Sequence, residues 1–349
     1  MKGDMGMYRE LLEKKNLPAL LPREQMLKIL QAEVYGVLPP KPETLIFEEG
    51  KLFSHFCAGK AVCYRITAKG LLEGKEFSFP FYATLPTDGK RHPFFIHINF
   101  RPDVPDRYMP SEELIDEGFA VLSFCYEDVT KDDGDFTDGL AGVLFEDGKR
   151  GERESGKIAL WAWAAQRVMD YAEERADVLD LSCATVCGHS RLGKTALLAG
   201  ATDERIAFVY SNNSGCSGAA ITRGKQGEQV RDICKRFPYW FCENYQKYID
   251  QEEKMPFDQH FLVASIAPRK VLIGSASEDL WADPSAEELC CLAASPAFEK
   301  GFIYEDREME VGDAFLKGDI GYHLREGEHY FSRADWHQLI QFIRYHQEV

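Results

Sequence analysis

Two kinds of feature are missing from this sequence, and each absence excludes a class of protein. No uninterrupted apolar run is long enough to cross a bilayer, and the opening segment MKGDMGMYRELLEKKNLPALLP has acidic residues where a secretion signal is apolar. Basic residues are too few for a nucleic-acid surface, because 41 Lys and Arg against 57 Asp and Glu leave a formal net charge of -16. We therefore expect a cytoplasmic protein that binds neither membranes nor nucleic acids.

The chain also lacks the cysteine arrangements that hold metals. Its ten cysteines include no Cys-x-x-Cys pair and no cluster with histidine at zinc spacing. Five of them lie inside apolar segments, namely Cys125, Cys183, Cys187, Cys290 and Cys291. Because reduced cysteine behaves as a small apolar residue, the sequence predicts free, buried thiols and no structural metal.

The hydrophobic pattern predicts a single α/β-hydrolase domain with an N-terminal helical extension. Helical patterns in MYRELLEKK and REQMLKILQAEVYG end at LPPKPE, so we expect the extension to cover residues 1–45 and the core to cover 46–349. The alternating runs AVCYRITAKG and FSFPFYATLP indicate two antiparallel strands. From residue 93, short apolar runs alternate with amphipathic segments, which is typical of a mostly parallel central sheet with helices on both faces.

The stretch CGHSRLGK places Ser190 between an apolar run and an amphipathic segment, as in a strand, a sharp turn and a helix. A nucleophile on such a turn lies at the carboxyl end of the sheet and at a helix N-terminus, whose amides stabilise an oxyanion. The usual turn is Gly-x-Ser-x-Gly, whereas here Leu192 fills the second glycine position and Gly193 follows it. Taken alone, the stretch is also consistent with a tight turn and an incidental serine.

A serine nucleophile needs an acid and a histidine, which follow it in that order in this fold. The loop SEDLWADP, after the apolar run KVLIGSA, offers Glu278, Asp279 and Asp283. His329 lies after IGYHLRE, in a glycine-containing loop ahead of the terminal helix. This histidine would take the proton of Ser190 and return it to the leaving alcohol, while the carboxylate holds the imidazole. The order and spacing predict a triad.

Three other histidines are weaker candidates for the base. His189 adjoins the serine, but neighbours on a sharp turn point apart, so we expect it to pack in the interior. His323 is expected to belong to the last strand. His260 precedes the run KVLIGSA, and we expect it to line the site or cap a helix.

Several segments together resemble the glucuronoyl esterase family of α/β-hydrolases, in its bacterial form. They lie between about residues 90 and 340 and are GHSRLGK, SNNSGCSGAA, FPYWF, PFDQH, LVASIAPR, LWADP and GEHYFSRADW. The pattern Ser-Arg-x-Gly-Lys is more specific to this family than a generic turn is, and Leu192 is its variable position. The resemblance implies a serine esterase that hydrolyses esters of a sugar acid and needs no cofactor.

The resemblance also implies roles for individual side chains. The family serine matches Ser190, and the arginine that helps to stabilise the oxyanion matches Arg191. The lysine that contacts sugar hydroxyls matches Lys194, whose alternative is a solvated helix lysine. The tryptophan that stacks on a sugar face matches Trp281, whose alternative is core packing.

Three further residues complete the implied substrate-binding set. Glu228 and Gln229, in KQGEQVRDI, fall near the polar sugar contacts of the family, across a segment that aligns loosely. His260 is included as a residue that lines the site.

The chain departs from the family pattern at the catalytic acid. Many members have a glutamate in the loop that matches NNSGCSGAA, where Asn213 and Cys216 stand here, and neither is a carboxylate. Other members take the acid from the loop that matches SEDLWADP. We prefer Asp279, a few residues past the strand end, and keep Glu278 as the second candidate, while Asp283 is alternatively a helix cap.

The sequence therefore indicates a serine carboxylic-ester hydrolase whose partner is a small carbohydrate ester. Two alternatives remain open at this stage. A sugar-acetyl or general short-chain carboxylesterase would use the same triad, and it suits a cytoplasmic protein better because polymer-bound glucuronoyl esters lie outside the cell. A catalytically silent hydrolase fold that serves as a binding module is the other alternative, and the missing carboxylate in NNSGCSGAA favours it.

Overall fold

The computed structural model describes residues 7–307 and 309–347. Within these residues, ten strands form one sheet in the order β1-β2-β3-β5-β4-β6-β7-β8-β10-β9. The strands are β1 (Thr44–Phe56), β2 (Ala61–Leu72), β3 (Lys75–Pro86), β4 (His92–Asn99), β5 (Ala120–Cys125), β6 (Leu179–His189), β7 (Phe208–Asn212), β8 (Lys270–Ala276), β9 (Ala314–Phe315) and β10 (Ile320–Arg325). The α-helices are α1 (Met7–Lys15), α2 (Arg23–Leu30), α3 (Ser111–Asp116), α4 (Gly139–Leu144), α5 (Lys157–Glu174), α6 (Arg191–Thr202), α7 (Val230–Arg236), α8 (His260–Ala264), α9 (Pro284–Ala294) and α10 (Arg333–Gln347).

The centre of the sheet is parallel, as the continuous apolar runs predict. Strands β5, β4, β6, β7, β8 and β10 are parallel neighbours, and antiparallel strands extend the sheet at both edges. Every residue of β5 and of β7 is buried, because helices cover both faces. This arrangement confirms the predicted α/β-hydrolase fold.

Strand β4 shows how the two faces are packed. Its alternate residues Phe94, Ile96 and Ile98 belong to the apolar cluster that contains helix α5, while Phe95 belongs to the cluster that contains helix α10. Successive side chains of a strand point to opposite faces, so α5 and α10 cover opposite sides of the sheet.

The N-terminal extension packs on the core and ends earlier than expected. Met26, Leu30 and Val34 are buried in the same apolar cluster as α5. Strand β1 already begins at Thr44, inside the extension predicted for residues 1–45, and it forms the edge of the sheet. Most side chains of β1 are exposed, so its sequence lacks a clear apolar alternation and did not predict a strand.

The cysteine content and the helix lengths can be compared with the structure. All ten cysteines are free and buried, which confirms the prediction of reduced thiols within the core. Among the helices of the described ranges, none has both the length and the apolar character needed to cross a membrane.

Candidate active site

Ser190 occupies a strained turn between strand β6 and helix α6. Its backbone has φ 58° and ψ −126°, a region that non-glycine residues rarely adopt and that costs roughly 1–3 kcal/mol. The backbone amide of Ser190 donates a 2.8 Å hydrogen bond to the carbonyl of Asn212 on β7, which holds the turn against the sheet. The serine therefore lies at the carboxyl end of the parallel strands and at the N-terminus of α6.

The backbone comes too close for a side chain at Gly188 and at Gly193, so the position between them that is usually glycine can hold Leu192. A Cβ atom on Gly188 would lie 2.2 Å from the carbonyl oxygen of Leu192, so only glycine allows the strand and helix to meet there. A Cβ atom on Gly193 would lie 3.0 Å from the Ser211 hydroxyl and 3.1 Å from Ser214 Cβ. The second close approach thus falls on residue 193, while Leu192 is fully buried in the core.

His329 and Asp279 form the second part of the site. His329 Nδ1 lies 2.6 Å from Asp279 Oδ2, and since a carboxylate only accepts, the ring donates from Nδ1. Asn213 Nδ2 donates a 2.9 Å hydrogen bond to the same carboxylate oxygen. This geometry makes Asp279 the acidic partner of the histidine and leaves His329 Nε2 as a proton acceptor.

The ionisation of Asp279 follows from these contacts. Burial would raise the pKa of this carboxyl, which is only 6% exposed. Hydrogen bonds from His329 and Asn213 outweigh burial and hold the pKa of Asp279 below its usual value. The acid is therefore charged near neutral pH and can stabilise an imidazolium.

The other carboxylates of the same loop have different surroundings. Glu278, the second candidate for the acid, is exposed, and its backbone amide donates a hydrogen bond to the Gly327 carbonyl. The prediction of Glu278 as a catalytic acid is therefore corrected in favour of Asp279. Asp283 accepts a hydrogen bond from the Ala286 amide as the N-cap of helix α9. Its alternative role as a helix cap is confirmed.

Arg191 is fixed beside the serine by a carboxylate and by aromatic rings. Its Nη1 forms an ion pair with Asp132 Oδ2, and its guanidinium carbon lies 4.6 Å from the centroid of the Trp240 ring. Asp132 also accepts hydrogen bonds from Trp240 Nε1 at 2.6 Å and from the Tyr126 hydroxyl at 2.9 Å. The guanidinium therefore has a fixed position, and Arg191 lines the same cavity as Ser190.

A cavity of about 320 Å³ joins these groups. It is lined by Ser190, Arg191, Lys194, Asn213, Ser214, Gly215, Glu228, Arg236, Phe237, Trp240, Asp279, Trp281, Ala282 and His329. Seven residues predicted for the site therefore lie around one space, although they come from separate parts of the sequence. Its volume is within the range of small-ligand pockets.

The structure also decides between the alternatives for the implied sugar contacts. Lys194 is 3% exposed and donates from Nζ to the Ser214 carbonyl, so it is not a solvated helix lysine. Burial lowers the pKa of Lys194, an effect that the nearby carboxylate of Glu228 opposes. Trp281 is 49% exposed at the cavity wall, which excludes core packing.

Two predicted substrate-binding residues lie elsewhere. Gln229 caps helix α7, and its amide group donates to the carbonyls of Lys225 and Gly227. His260 begins helix α8, and its Nε2 lies 2.9 Å from the carbonyl of Pro18 in the N-terminal extension. Neither side chain lines the cavity, so both substrate-binding assignments are corrected. Gln229 caps a helix, and His260 packs against the N-terminal extension.

Three residues shape the site in ways that the sequence did not predict. Trp240 lies within FPYWF, a segment used only for the resemblance, although its indole packs on Arg191. Asp132 lies in the acidic stretch KDDGDF, where no local signal separates it from its neighbours. Asn213 was noted only as a departure from the family pattern, whereas its side chain donates a hydrogen bond to Asp279.

The fold and this arrangement of serine, histidine and aspartate define the chain as a serine hydrolase of the α/β-hydrolase fold. Comparisons with known proteins narrow this class. A family model described as glucuronyl esterase, fungi, matches residues 70–300. The chain is 32% identical to carbohydrate esterase MZ0003 from an unknown prokaryotic organism, over 93% of this chain and 84% of that protein. It is also 26% identical to the 4-O-methyl-glucuronoyl methylesterase of Schizophyllum commune, over 82% and 70%.

Solved structures agree with the family match. The glucuronoyl esterase from Solibacter usitatus has a TM-score of 0.84 at 31% identity, over 93% of this chain and 91% of that one. A promiscuous CE15 esterase from a marine bacterial metagenome has a TM-score of 0.82 at 32% identity, with the same coverage. The chain belongs to the glucuronoyl esterase family, a family of carboxylic-ester hydrolases.

Proposed function

We propose that this protein hydrolyses carboxylic esters of glucuronic acid or a closely related sugar acid. The observation that carries the proposal is that one cavity is lined by Ser190, Arg191 and His329 together with Lys194 and Trp281. The first three groups suit acyl transfer, and the other two suit a hydroxylated ring. The name of the Schizophyllum commune relative, a 4-O-methyl-glucuronoyl methylesterase, supports the same substrate class.

The proposed reaction follows from the positions of the groups. His329 Nε2 takes the proton of Ser190 as the serine oxygen attacks the ester carbonyl, and the carbonyl oxygen becomes an oxyanion. Arg191 and the first amides of helix α6 stabilise that charge. The tetrahedral intermediate expels the alcohol, which receives the proton from His329, and leaves an acyl-enzyme. Water then attacks the acyl carbon with His329 as base, releases the sugar acid and restores Ser190.

Substitution of the serine tests the nucleophile. We expect Ser190→Ala to lower kcat on a methyl glucuronate ester by on the order of 10⁴-fold or more. Ser182→Ala, an exposed serine on the same strand, is the matched control and should keep wild-type turnover. Wild-type turnover in purified Ser190→Ala would show that another residue is the nucleophile.

A short-chain carboxylesterase is the second candidate function. One similar structure, at 32% identity, is described as a promiscuous esterase, and the His329 side chain is 43% exposed at an open cavity. The ratio of kcat/KM on a methyl glucuronate ester to that on 4-nitrophenyl acetate separates the two functions. A ratio well below one would favour the short-chain esterase.

The silent binding module has less support, because Asp279 supplies the carboxylate that the loop after β7 lacks. Labelling with a fluorophosphonate probe and peptide mapping tests this point. We expect one adduct, on Ser190, in the wild-type protein and none in Ser190→Ala.

We also propose that the protein acts in a reducing compartment, the cytoplasm, on small imported carbohydrate esters. Ten free and buried thiols support this location, because such thiols persist where disulfides do not form. Cell fractionation with activity assays tests it, and activity confined to the culture medium or the cell envelope would contradict it.

A further inference from the structure

One peptide group at the wall of the cavity lies between two buried, oppositely charged side chains. Lys194 Nζ donates to the carbonyl of Ser214, and the amide of Gly215 donates a 2.8 Å hydrogen bond to Glu287 Oε1. This carbonyl and this amide belong to the same peptide bond. Lys194 is 3% exposed and Glu287 is 0% exposed, so both contacts are shielded from water.

The surroundings of Glu287 contain few compensating groups. The Ser275 hydroxyl donates to Oε2, and the Ser214 hydroxyl lies 3.5 Å from Oε1. The charged groups that act on it are Asp279, which disfavours its ionisation, and Lys194, which favours it. Burial raises the pKa of Glu287 to about 7. The remaining titratable neighbours, on strand β10 and on α9 itself, are Tyr322, Cys290 and Cys291.

The segment held by Glu287 has an unusual backbone. Asn213, Gly215 and Ser217 have φ values of 49°, 56° and 57°, all in the left-handed region. A Cβ atom on Gly215 would lie 2.9 Å from the Cα of Ala282, so the segment is pressed against the loop that carries Asp279. A left-handed conformation at non-glycine residues persists only when neighbouring contacts impose it. Glu287 provides such a contact from helix α9.

We propose that Glu287 is a positioning residue for sugar recognition: through the Ser214–Gly215 peptide it holds Lys194 charged and in place at the cavity wall. The inference rests on the proposed function. A negative charge on Glu287 polarises the peptide, which strengthens the Ser214 carbonyl as an acceptor for the ammonium. It also offsets the cost of burying the lysine charge. Lys194 uses one of its three N–H donors on Ser214, which leaves donors for sugar hydroxyls.

The proposal separates two kinds of substrate. In the proposed function, a glucuronate ester offers ring hydroxyls to Lys194 at the cavity wall, whereas the acyl group of 4-nitrophenyl acetate carries no hydroxyl. Charge on Glu287 therefore affects sugar esters and leaves the acetate unchanged.

Glu287→Gln tests the charge, since glutamine keeps the shape and still accepts from Gly215. We expect kcat/KM on a methyl glucuronate ester to fall about 10- to 100-fold, mostly through KM, while the value on 4-nitrophenyl acetate stays within about twofold. Asp319→Asn is the matched control, because Asp319 is a buried carboxylate that binds Lys270 and the Lys300 amide beyond the cavity. Equal losses on both substrates, or no loss on either, would overturn the proposal.

The pH dependence provides a second readout that a purely structural residue would not change. Glu287 is neutral below its pKa of about 7 and charged above it. In the wild type, the ratio of glucuronate to acetate kcat/KM should therefore rise between pH 6 and pH 8, while the titration of the triad cancels in the ratio. In Glu287→Gln the ratio should be flat, and a wild-type ratio that is also flat would contradict the proposal.

The wild-type measurements separate this inference from the proposed function. A wild-type enzyme that hydrolyses the acetate but not the glucuronate ester refutes the proposed substrate class. A wild-type enzyme that hydrolyses both, with a Glu287→Gln variant that loses both equally, refutes only the role of Glu287. If Glu287→Gln does not fold, the pH dependence of the wild-type ratio remains the test, and a flat ratio overturns the proposal.

Discussion

The guanidinium of Arg325 binds the backbone on both sides of His329, because its Nη2 donates to the carbonyls of Glu328 and Tyr330. Arg325 Nε in turn donates a 2.8 Å hydrogen bond to Asp335, a fully buried carboxylate. The loop that carries the histidine is therefore fastened at two carbonyls by one side chain that is itself held rigidly.

This relationship predicts that Arg325 controls the position of His329 and not substrate binding. We expect Arg325→Met to lower kcat about 10- to 100-fold with little change in KM, since misplacement of about 1 Å costs such a factor. Added guanidinium should restore part of the activity. Arg23→Met is the control. Arg23 lies on the N-terminal extension, and its guanidinium also binds two backbone carbonyls and a carboxylate. A rise in KM alone would contradict this role.

Asp279→Asn should abolish most of the catalytic rate. An amide at this position cannot stabilise the imidazolium and favours the wrong tautomer of His329, so kcat should fall about 10⁴-fold. The neighbouring exposed carboxylate provides a matched control, and Glu278→Gln should retain activity within about twofold. Steady-state kinetics on a methyl glucuronate ester measures both, and the reverse pattern would make Glu278 the acid.

Asp132→Asn tests whether the ion pair between Asp132 and Arg191 contributes to catalysis. Loss of the charge weakens the ion pair to Arg191 Nη1, so the oxyanion is stabilised less well and kcat should fall about 10- to 100-fold. The change should appear with both sugar and acetyl esters, because both form the same oxyanion. Asp133→Asn, at the exposed neighbouring position, should behave as wild type. An effect on the sugar ester alone would assign Asp132 to substrate binding instead.

Three buried histidines should make the fold sensitive to acid. Burial lowers the pKa of His97 to about 3, of His189 to about 3 and of His323 to about 4. The unfolded chain binds protons on these histidines first, near pH 6.5, so stability is lost as the pH falls below that value. Each contributes up to about 1.4 kcal/mol per pH unit to the loss, until its folded-state pKa is reached.

Urea unfolding at several pH values between 7.5 and 4.5 measures this dependence. His97 packs edge-on against Phe331 and Trp336, so His97→Phe removes one titrating group while keeping an aromatic ring. The slope of unfolding free energy against pH should become shallower in this variant. An unaltered slope in His97→Phe would exclude His97 as a source.

Local patterns in the sequence determined most of the fold. Apolar runs located the strands of the parallel sheet, and the turn at Ser190 followed by carboxylates and His329 located the carboxyl edge where the site lies. These signals are readable because periodicity and order along the chain are local properties. Strand β1 was missed for the same reason, since its exposed side chains carry little apolar periodicity.

Only the tertiary structure decided which side chains act together. Glu278 and Asp279 are adjacent in the sequence, but the turn after β8 directs only Asp279 to His329, fifty residues further along the chain. The roles of Asp132 and Glu287 could not be predicted for a similar reason, because each contacts a residue far away in the sequence. Asp132 pairs with Arg191 at the start of α6, and Glu287 accepts a hydrogen bond from Gly215 after β7. Hydrogen bonds and ion pairs between remote segments depend on the packing of the whole sheet and its helices, and no short stretch of sequence encodes that packing.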